Sequence, residues 1–257
     1  MQVYDTLIIG SGYFSVGYAM KNKNAVIVEE HQICDVNFYL PLKGYKYFPF
    51  SPSTTQGEKL FNHYKNYNLF ANGKQNVNGF EGAFCKFVYE NNINILLKTR
   101  VIRINKTADG IYDVTVQSNA GLSHIFAKNV LDTVSKAQKN CYTVLFFSDD
   151  VESDKKLLLN AFTGSQIEQA FFNDRFAIHI PVNNTNENLI KLDVYNKWSK
   201  LKTKAKILYM SPVFYSTNVT NPVCDDYYNN PIQAFESGYL YKGETLWYYP
   251  LLKTVKL

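Results

Sequence analysis

A short apolar segment followed at once by two closely spaced glycines constrains this chain more than any other feature. Residues 6–9 (TLII) are apolar throughout, Gly10 and Gly12 follow, and residues 14–21 have the composition of a helix. Residues 25–28 (AVIV) are again apolar throughout. Continuous apolar runs separated by a helix are typical of parallel strands buried on both faces. The pattern therefore predicts a β-α-β unit whose first turn carries the glycines.

The turn at Gly10 and Gly12 has the features of a phosphate-binding turn. The first glycine of such a turn makes the bend, and the second lets a pyrophosphate approach the backbone. The start of the following helix adds free N–H groups and the positive end of the helix dipole. Ser15 stands where the usual fingerprint has a third glycine, and it is the smallest polar substitute. A generic tight turn between a strand and a helix is the alternative interpretation.

Glu29 supplies the second element that a nucleotide site needs. It directly follows residues 25–28, and its distance from Gly10 matches the spacing of about 20 residues at which an acid accepts hydrogen bonds from ribose hydroxyls. The complete order of strand, glycines, helix, strand and acid is more specific than the glycines alone. It predicts nucleotide binding.

The chain up to residue 137 continues with an irregular segment and then with regular elements. Residues 38–57 hold three prolines and many aromatic residues, which indicates an irregular excursion. Residues 99–118 alternate in polarity around Asp109-Gly110, which predicts a hairpin. The other predicted elements of this part are helices over residues 59–70 and 79–90 and strands over residues 93–97 and 124–132.

These motifs, in this order, resemble the FAD-dependent oxidoreductases of the glutathione-reductase-like superfamily. The stretches that carry the resemblance are DTLIIGSGYFSVGYAM through VIVEE, NINILLKTRVIRINKTADGIYDVTV, and HIFAKNVLDTVS. The second is similar to the strand, T-x-V bend and hairpin of that group's nucleotide-binding domain. The third is similar to the strand that ends near the flavin nucleotide. The resemblance implies an FAD cofactor and flavin-mediated redox chemistry on a small substrate, which the sequence does not identify.

The resemblance also implies roles for residues of the first β-α-β unit. Gly10, Gly12 and Ser15 would line the pyrophosphate of the cofactor. Glu29 would hold the adenosine ribose, with Glu30 as its less favoured substitute.

Outside this unit the resemblance is less complete. Val101 would offer backbone groups to the adenine edge, and Thr133 would lie beside the nucleotide at the end of its strand. Val134 follows Thr133, at the turn where the group commonly has a glycine. The group also carries a C-terminal Gly-Asp motif whose acid binds the ribityl chain. Residues 218–231 indicate a polar loop, and the nearest candidate, residues 230–243 (NPIQAFESGYLYKG), lacks the Gly-Asp order.

A second pattern of strands and helices starts after about residue 138. We predict strands over residues 142–147, 175–182 and 206–214 and helices over residues 150–162 and 187–202. The predicted fold class is α/β, with a Rossmann-like parallel sheet, an inserted β-meander and a smaller α+β domain. The predicted divisions are an FAD- or dinucleotide-binding domain over 1–137, a substrate-type domain over 138–217, and a C-terminal segment over 218–257 that returns to the first domain.

Cysteine usage and hydropathy exclude several other classes of protein. The four cysteines are far apart, without a CxxC or a Cys/His cluster, so we predict no metal site and no disulfide framework. A CxxxxC redox pair that starts at Cys34 would have its second cysteine at position 39, which is Tyr39. This favours a free buried thiol at Cys34. No apolar run approaches the ~18 residues of a membrane span. With no N-terminal signal pattern, we expect a cytoplasmic protein that binds no membrane.

The net charge of +5 is compatible with an anionic ligand or simply with solubility. The lysines between residues 197 and 206 accompany no recognisable nucleic-acid-binding module, so we expect no nucleic-acid partner. The sequence does not decide whether the protein forms an oligomer or binds a partner subunit.

Two functions follow from these patterns. The first is an FAD-binding oxidoreductase with an unidentified small-molecule substrate. The alternative is a non-catalytic relative that keeps the fold as a subunit or interaction module and binds nucleotide weakly or not at all. An NAD-dependent dehydrogenase ranks third, because the hairpin after Thr99 suits the flavoprotein domain better.

Overall fold

The computed structural model describes residues 2–34, 38–43, 51–71, 73–217 and 219–243. Parts of two segments from the sequence analysis lie outside the described residues, namely 44–50 of the aromatic excursion and 218 and 244–257 of the C-terminal segment. The strands are β1 (Val3–Ile9), β2 (Ala25–Val28), β3 (Phe70–Ala71), β4 (Lys74–Gln75), β5 (Ile95–Leu96), β6 (Arg100–Lys106), β7 (Tyr112–Ser118), β8 (Gly121–Asp132), β9 (Cys141–Phe147), β10 (Gln166–Gln169), β11 (Arg175–Pro181) and β12 (Lys206–Met210). The helices are α1 (Tyr13–Lys21), α2 (Thr55–Asn66), α3 (Phe80–Glu90), α4 (Val151–Ala161), α5 (Glu187–Ser199) and α6 (Pro231–Leu240).

The larger sheet has the strand order β5-β2-β1-β8-β7-β6. β1 pairs in parallel with β2 and with β8, and β2 pairs in parallel with β5. β8, β7 and β6 continue the sheet as an antiparallel meander. The predicted α/β class, a parallel sheet with an inserted meander, is confirmed. Since the parallel strands end at one edge, Val28 and Asp132 both lie opposite Ile9.

Burial on both faces explains why β1 and β2 are continuously apolar. Ile8 and Ile27 belong to a core cluster with residues of α1, α3 and α6. Leu7 and Val26 lie in a second cluster together with residues of β7 and β8. All four side chains are fully buried. The alternate side chains of each strand therefore enter two different cores.

Helix α6 packs across α1, although the sequence analysis assigned no helix to it. A Cβ at Gly17 in α1 would lie 2.0 Å from the carbonyl oxygen of Phe235, and one at Gly238 in α6 would lie 1.9 Å from that of Phe14. Each helix thus approaches the other through a glycine. The signals for α6 were Pro231 at the first helical turn and the Asn230 side chain, which accepts a hydrogen bond from the Ile232 N–H at 2.8 Å.

The smaller sheet is antiparallel, in the order β10-β11-β9-β12. One face packs with α4 and α5 around Tyr142, Val144 and Phe146. From the other face, Leu145 and Ala177 join the core of the larger sheet. β10 was not predicted. Leu189, Leu192, Tyr195 and Trp198 recur at helical spacing, which is typical of the buried face of an amphipathic helix. In α5 the first three are more than half exposed, and Val194 is the buried residue instead.

No helix in the described ranges is long and apolar enough to cross a lipid bilayer.

Candidate functional site

The glycine turn lies at the carboxyl end of β1 and has a backbone that requires glycine. Gly10 has φ +94°, in the left-handed region that disfavours side chains. A Cβ there would also lie 2.9 Å from Oγ1 of Thr133 at the end of β8. The turn is therefore held tightly against the neighbouring strand.

Ser15 is fully buried and takes no part in the cavity wall. Its hydroxyl lies 2.8 Å from the hydroxyl of Thr133, which in turn donates to the carbonyl oxygen of Ile9 at 2.8 Å. A third glycine in this position allows close packing of helix and strand. Here a hydrogen bond joins α1 to the end of β8 instead.

Glu29 follows β2 and is 4% exposed, with donors around both carboxylate oxygens. One oxygen accepts from the backbone N–H and the hydroxyl of Ser11, each at 2.9 Å. The other accepts from the backbone N–H of His31 at 2.9 Å and lies 2.6 Å from its Nδ1. Burial by itself raises the pKa of Glu29, but the hydrogen bonds from His31 and Ser11 outweigh it and lower the pKa below its usual value. Glu29 is therefore a fixed carboxylate anion.

The ring of His31 pairs with this carboxylate. The hydrogen bond with Glu29 raises the pKa of the His31 ring above its usual value, against the opposing effect of partial burial. Glu30, by contrast, is exposed and lies 3.9 Å from Nε of Arg100.

A cavity of about 460 Å³ opens where these elements meet. Its volume is within the range of about 300–1,000 Å³ that small-molecule sites occupy. Of the seven predicted site residues, the cavity is lined by Gly10, Gly12, Glu29, Glu30, Val101 and Thr133. Only Ser15 lies behind its wall. The opposite wall comes from Val213, Phe214 and Tyr215 after β12, so the cavity lies between the two sheets.

The start of α1, where the sequence analysis expected a phosphate, is occupied by the side chain of Asp225. Its two carboxylate oxygens accept hydrogen bonds from the backbone N–H groups of Tyr13 and Phe14 at 2.6 and 2.9 Å. A Cβ on Gly12 would lie 2.3 Å from the nearer oxygen. The space left by this glycine is thus filled by a carboxylate of the same chain.

Burial governs the electrostatics of Asp225. The loss of water raises its pKa to about 6, and the neighbouring Asp226 adds to the effect, while the N–H groups of Phe14 and Tyr13 and the charge of Lys43 oppose it. A carboxylate that titrates so close to neutrality is costly to keep charged in the folded state.

Asp226 also lines the cavity, and it is buried. One carboxylate oxygen lies 3.0 Å from Nζ of Lys139. The other, Oδ1, is buried and has no hydrogen-bond partner among the described residues. Lys43 donates to the backbone carbonyl of Asp226 at 2.6 Å, and burial lowers the pKa of Lys43 to about 8.

This acidic pair was not predicted, because the motif of the resembled group has glycine before its acid. Cys224 precedes Asp225, and the surrounding residues have the composition of a polar loop. A detectable signal was present, since two adjacent acids stand shortly before Asn230-Pro231, a strong helix start.

Cys34 is a buried free thiol. The neighbouring thiol of Cys85 in α3, together with burial, raises the pKa of Cys34. In the part of the chain that the structure describes, no group of three or more His, Cys, Asp or Glu side chains could hold a metal ion.

Solved structures share this fold at low sequence identity. p-Nitrophenol 4-monooxygenase from Pseudomonas putida aligns with a TM-score of 0.53 and 12% identity, over 92% of this chain and 76% of its own. A flavoprotein/dehydrogenase from Cytophaga hutchinsonii aligns with a TM-score of 0.52 and 13% identity, over 93% of this chain and 76% of its own. The fold is thus the FAD/NAD(P)-binding Rossmann type. No protein-family model matches the chain, and no curated protein sequence matches it.

Proposed function

We propose that this chain is an FAD-binding protein of the oxidoreductase type, a short and divergent relative of the glutathione-reductase-like superfamily. The observation that carries the proposal is the convergence of the glycine turn, Glu29, Val101 and Thr133 on one cavity at the carboxyl ends of parallel strands. Ligands of open α/β sheets bind in this position. The likeness to a flavoprotein and a monooxygenase adds support from the fold.

The residues of the ribose side fit such a cofactor once two side-chain donors give way. The backbone N–H groups of Ser11 and His31 hold Glu29 as an anion, and ribose hydroxyls would replace the other two donors, the Ser11 hydroxyl and the His31 ring. Gly10 lies in the cavity wall, where a diphosphate would reach its backbone. Val101 lies at the same cavity and suits the adenine end. In this proposal, Glu29 binds the ribose, Gly10 and Gly12 face the phosphates, and Thr133 lies beside the nucleotide.

The phosphate side fits only after a rearrangement, because Asp225 already accepts from the N–H groups that a phosphate would use. The flavin would supply the redox chemistry, and the protein would supply binding, orientation and shielding from water. The substrate is a small molecule that reaches the wall formed by Phe214 and Tyr215.

The same observation on Asp225 favours a second candidate function. A helix start that is satisfied by an internal carboxylate needs no nucleotide to complete its hydrogen bonds. We therefore keep the non-catalytic relative as the alternative. It would act as a subunit or an interaction module, with weak nucleotide binding.

The visible absorption spectrum of the purified protein tests the proposal. We expect a yellow protein with about one flavin per chain, or stoichiometric uptake when the colourless protein is incubated with FAD. Reduction of the bound flavin by dithionite or a nicotinamide, with turnover on an acceptor, would exclude the non-catalytic alternative. A protein that stays colourless after reconstitution with FAD would contradict the proposed function.

A further inference from the structure

The ring of His31 occupies a carboxylate oxygen that the proposed ribose site needs. Its Nδ1 lies 2.6 Å from Oε1 of Glu29, and the backbone N–H of His31 donates to the same oxygen at 2.9 Å. The second oxygen accepts from the N–H and the hydroxyl of Ser11, each at 2.9 Å. Each carboxylate oxygen has room for about two donors, so both oxygens are fully engaged before a ligand arrives.

The imidazole, and not the carboxylate, is the accessible half of this pair. The side chain of His31 is 43% exposed and that of Glu29 is 5% exposed, and both residues line the cavity. A molecule in the cavity therefore meets the ring more readily than the carboxylate. A ribose hydroxyl gains a lone pair of Oε1 only if the ring gives it up.

The contact can be broken without disturbing the backbone around it. The carbonyl oxygen of His31 accepts from the backbone N–H of Lys98 at 2.9 Å, and the carbonyl oxygen of Glu29 accepts from that of Thr99 at 2.8 Å. Rotation of the imidazole about its side-chain bonds leaves these hydrogen bonds in place. Exchange of the ring for a ligand hydroxyl is therefore a local event.

We infer that the His31 ring is an internal competitor of the ligand at the ribose site, and that a ribose binds only as the imidazole leaves Oε1 of Glu29. The inference rests on the proposed function, since it assumes that Glu29 accepts from ribose hydroxyls. His31 is then a positioning residue that sets the affinity for ribose through Glu29, and it does not itself contact the bound nucleotide.

Charge makes the ring a stronger competitor than the Ser11 hydroxyl. The hydrogen bond from Glu29 and its charge raise the pKa of His31, with a further contribution from the charge of Glu30, although partial burial opposes them. From the start of β6, Arg100 lies 3.9 Å from Glu30 and carries the opposite charge. The hydroxyl, by contrast, is neutral and can turn to another acceptor by rotation about one bond.

A direction of pH dependence follows from this pairing. A ring that leaves Glu29 loses the interaction that raises its pKa and returns toward the ordinary value of about 6.5. Ligand binding then releases protons in the pH range where the free protein holds a protonated ring and the complex does not. The affinity for a ribose should therefore rise as the pH rises from 6 to 8.

Isothermal titration calorimetry with adenosine tests the inference. Adenosine carries the ribose without a phosphate, so attraction between a phosphate and the imidazolium does not mask the effect. We expect the wild type to bind adenosine at least about threefold more tightly at pH 8 than at pH 6. At pH 7, titrations in buffers of different ionisation enthalpy should show the release of protons.

Two substitutions of His31 separate competition from direct contact. His31→Ala removes the competitor, so it should bind adenosine at least about threefold more tightly than the wild type at pH 6, with no change between pH 6 and 8. His31→Gln keeps an N–H donor that does not titrate, and its affinity should also be independent of pH.

His124 provides the matched control. Its Nδ1 lies 2.7 Å from Oδ1 of Asp113, in an ion pair of the same kind that does not line the cavity. His124→Ala should keep both the affinity and the pH dependence of the wild type. Equal adenosine affinity of the wild type at pH 6 and 8 would overturn the inference, as would the absence of binding at both. Weaker binding by His31→Ala would overturn it too, because the ring would then contact the ligand.

The flavin content of the wild type separates these results from the proposed function. A wild type that binds FAD, but whose adenosine affinity does not change with pH, would refute only the inference. A wild type whose adenosine affinity rises with pH, but which takes up no FAD, would refute only the proposed function.

Discussion

The hydroxyl of Ser15 in α1 lies 2.8 Å from the hydroxyl of Thr133 at the end of β8, and both residues are buried. This contact joins α1, the helix of the glycine turn, to β8, which pairs in parallel with β1. It explains how the chain keeps the β1-α1 turn compact without the third glycine of the fingerprint. The chain thus departs from the fingerprint in sequence, but α1 still makes a direct contact with the sheet.

We expect Ser15→Ala to lower the free energy of unfolding by about 1 kcal/mol, because one buried hydrogen bond is lost while Thr133 keeps its bond to Ile9. Urea denaturation measures this change. Ser123→Ala, on an exposed position of β8, is the matched control and should have no measurable effect. Equal stability of the Ser15 variant and the wild type would show that the contact contributes nothing.

Gly17 and Gly82, each inside a helix, should respond to alanine in opposite directions. A Cβ at Gly17 would lie 2.0 Å from a backbone oxygen of α6, so the helices must separate, at a cost of about 3 kcal/mol. A Cβ at Gly82 in α3 meets no atom of the described residues within 4 Å, and the better helix propensity of alanine should stabilise the protein by about 0.5–1 kcal/mol. Thermal unfolding of both variants checks the prediction. A tolerated Gly17→Ala would show that α6 does not cross α1 at this point.

Glu29 and Glu30 should differ sharply in their effect on ligand binding. Glu29→Gln removes the charge and one acceptor from the proposed ribose site, and we expect a loss of about tenfold or more in affinity for adenosine and FAD. Glu30→Gln, at an exposed side chain, should change both affinities less than about twofold. Fluorescence titration with FAD and calorimetry with adenosine provide the measurements. The reverse ranking would move the ribose site to Glu30.

The stability of the protein should depend on the protonation of Asp225. Its pKa is about 6 in the folded protein, against about 3.9 for an unperturbed aspartate, so the folded state binds the proton more tightly. The associated stabilisation is fully present below about pH 4 and is lost as the pH rises through 6, with a limiting value of about 3 kcal/mol.

Asp225→Asn lacks this titration. The difference in unfolding free energy between the wild type and Asp225→Asn should therefore shift in favour of the wild type as the pH falls from 7 to 4. Urea unfolding at several pH values measures it. Parallel pH profiles for the two proteins would contradict the raised pKa.

Local patterns were sufficient to predict the β1-α1-β2 unit and the meander. Buried strands leave continuous apolar runs, and the left-handed turn at Gly10 demands glycine, so both features are visible over a few residues. The position of Glu29 beside the cavity follows from the same unit, since β1 and β2 end at one edge of the sheet.

The acid at the start of α1 could not be found in the same way. Asp225 is 212 residues from Tyr13 in the chain, so no local pattern spans their contact. Similarly, the exposed stripe of Leu189, Leu192 and Tyr195 shows that helical spacing alone does not identify the buried face. Packing against β9 and β11 selects Val194 instead.

The crossing of α1 and α6 has a consequence for the order in which the protein can be assembled. Gly17 leaves the ribosome more than 200 residues before Phe235 and Gly238. Until α6 emerges, the helix of the glycine turn exposes a face that belongs in the core, and Asp225 is not yet present to accept from its N–H groups. During synthesis the first 130 or so residues therefore form a sheet without its closing helix, a state that is prone to aggregation. The final packing of the nucleotide turn is thus a late event in folding.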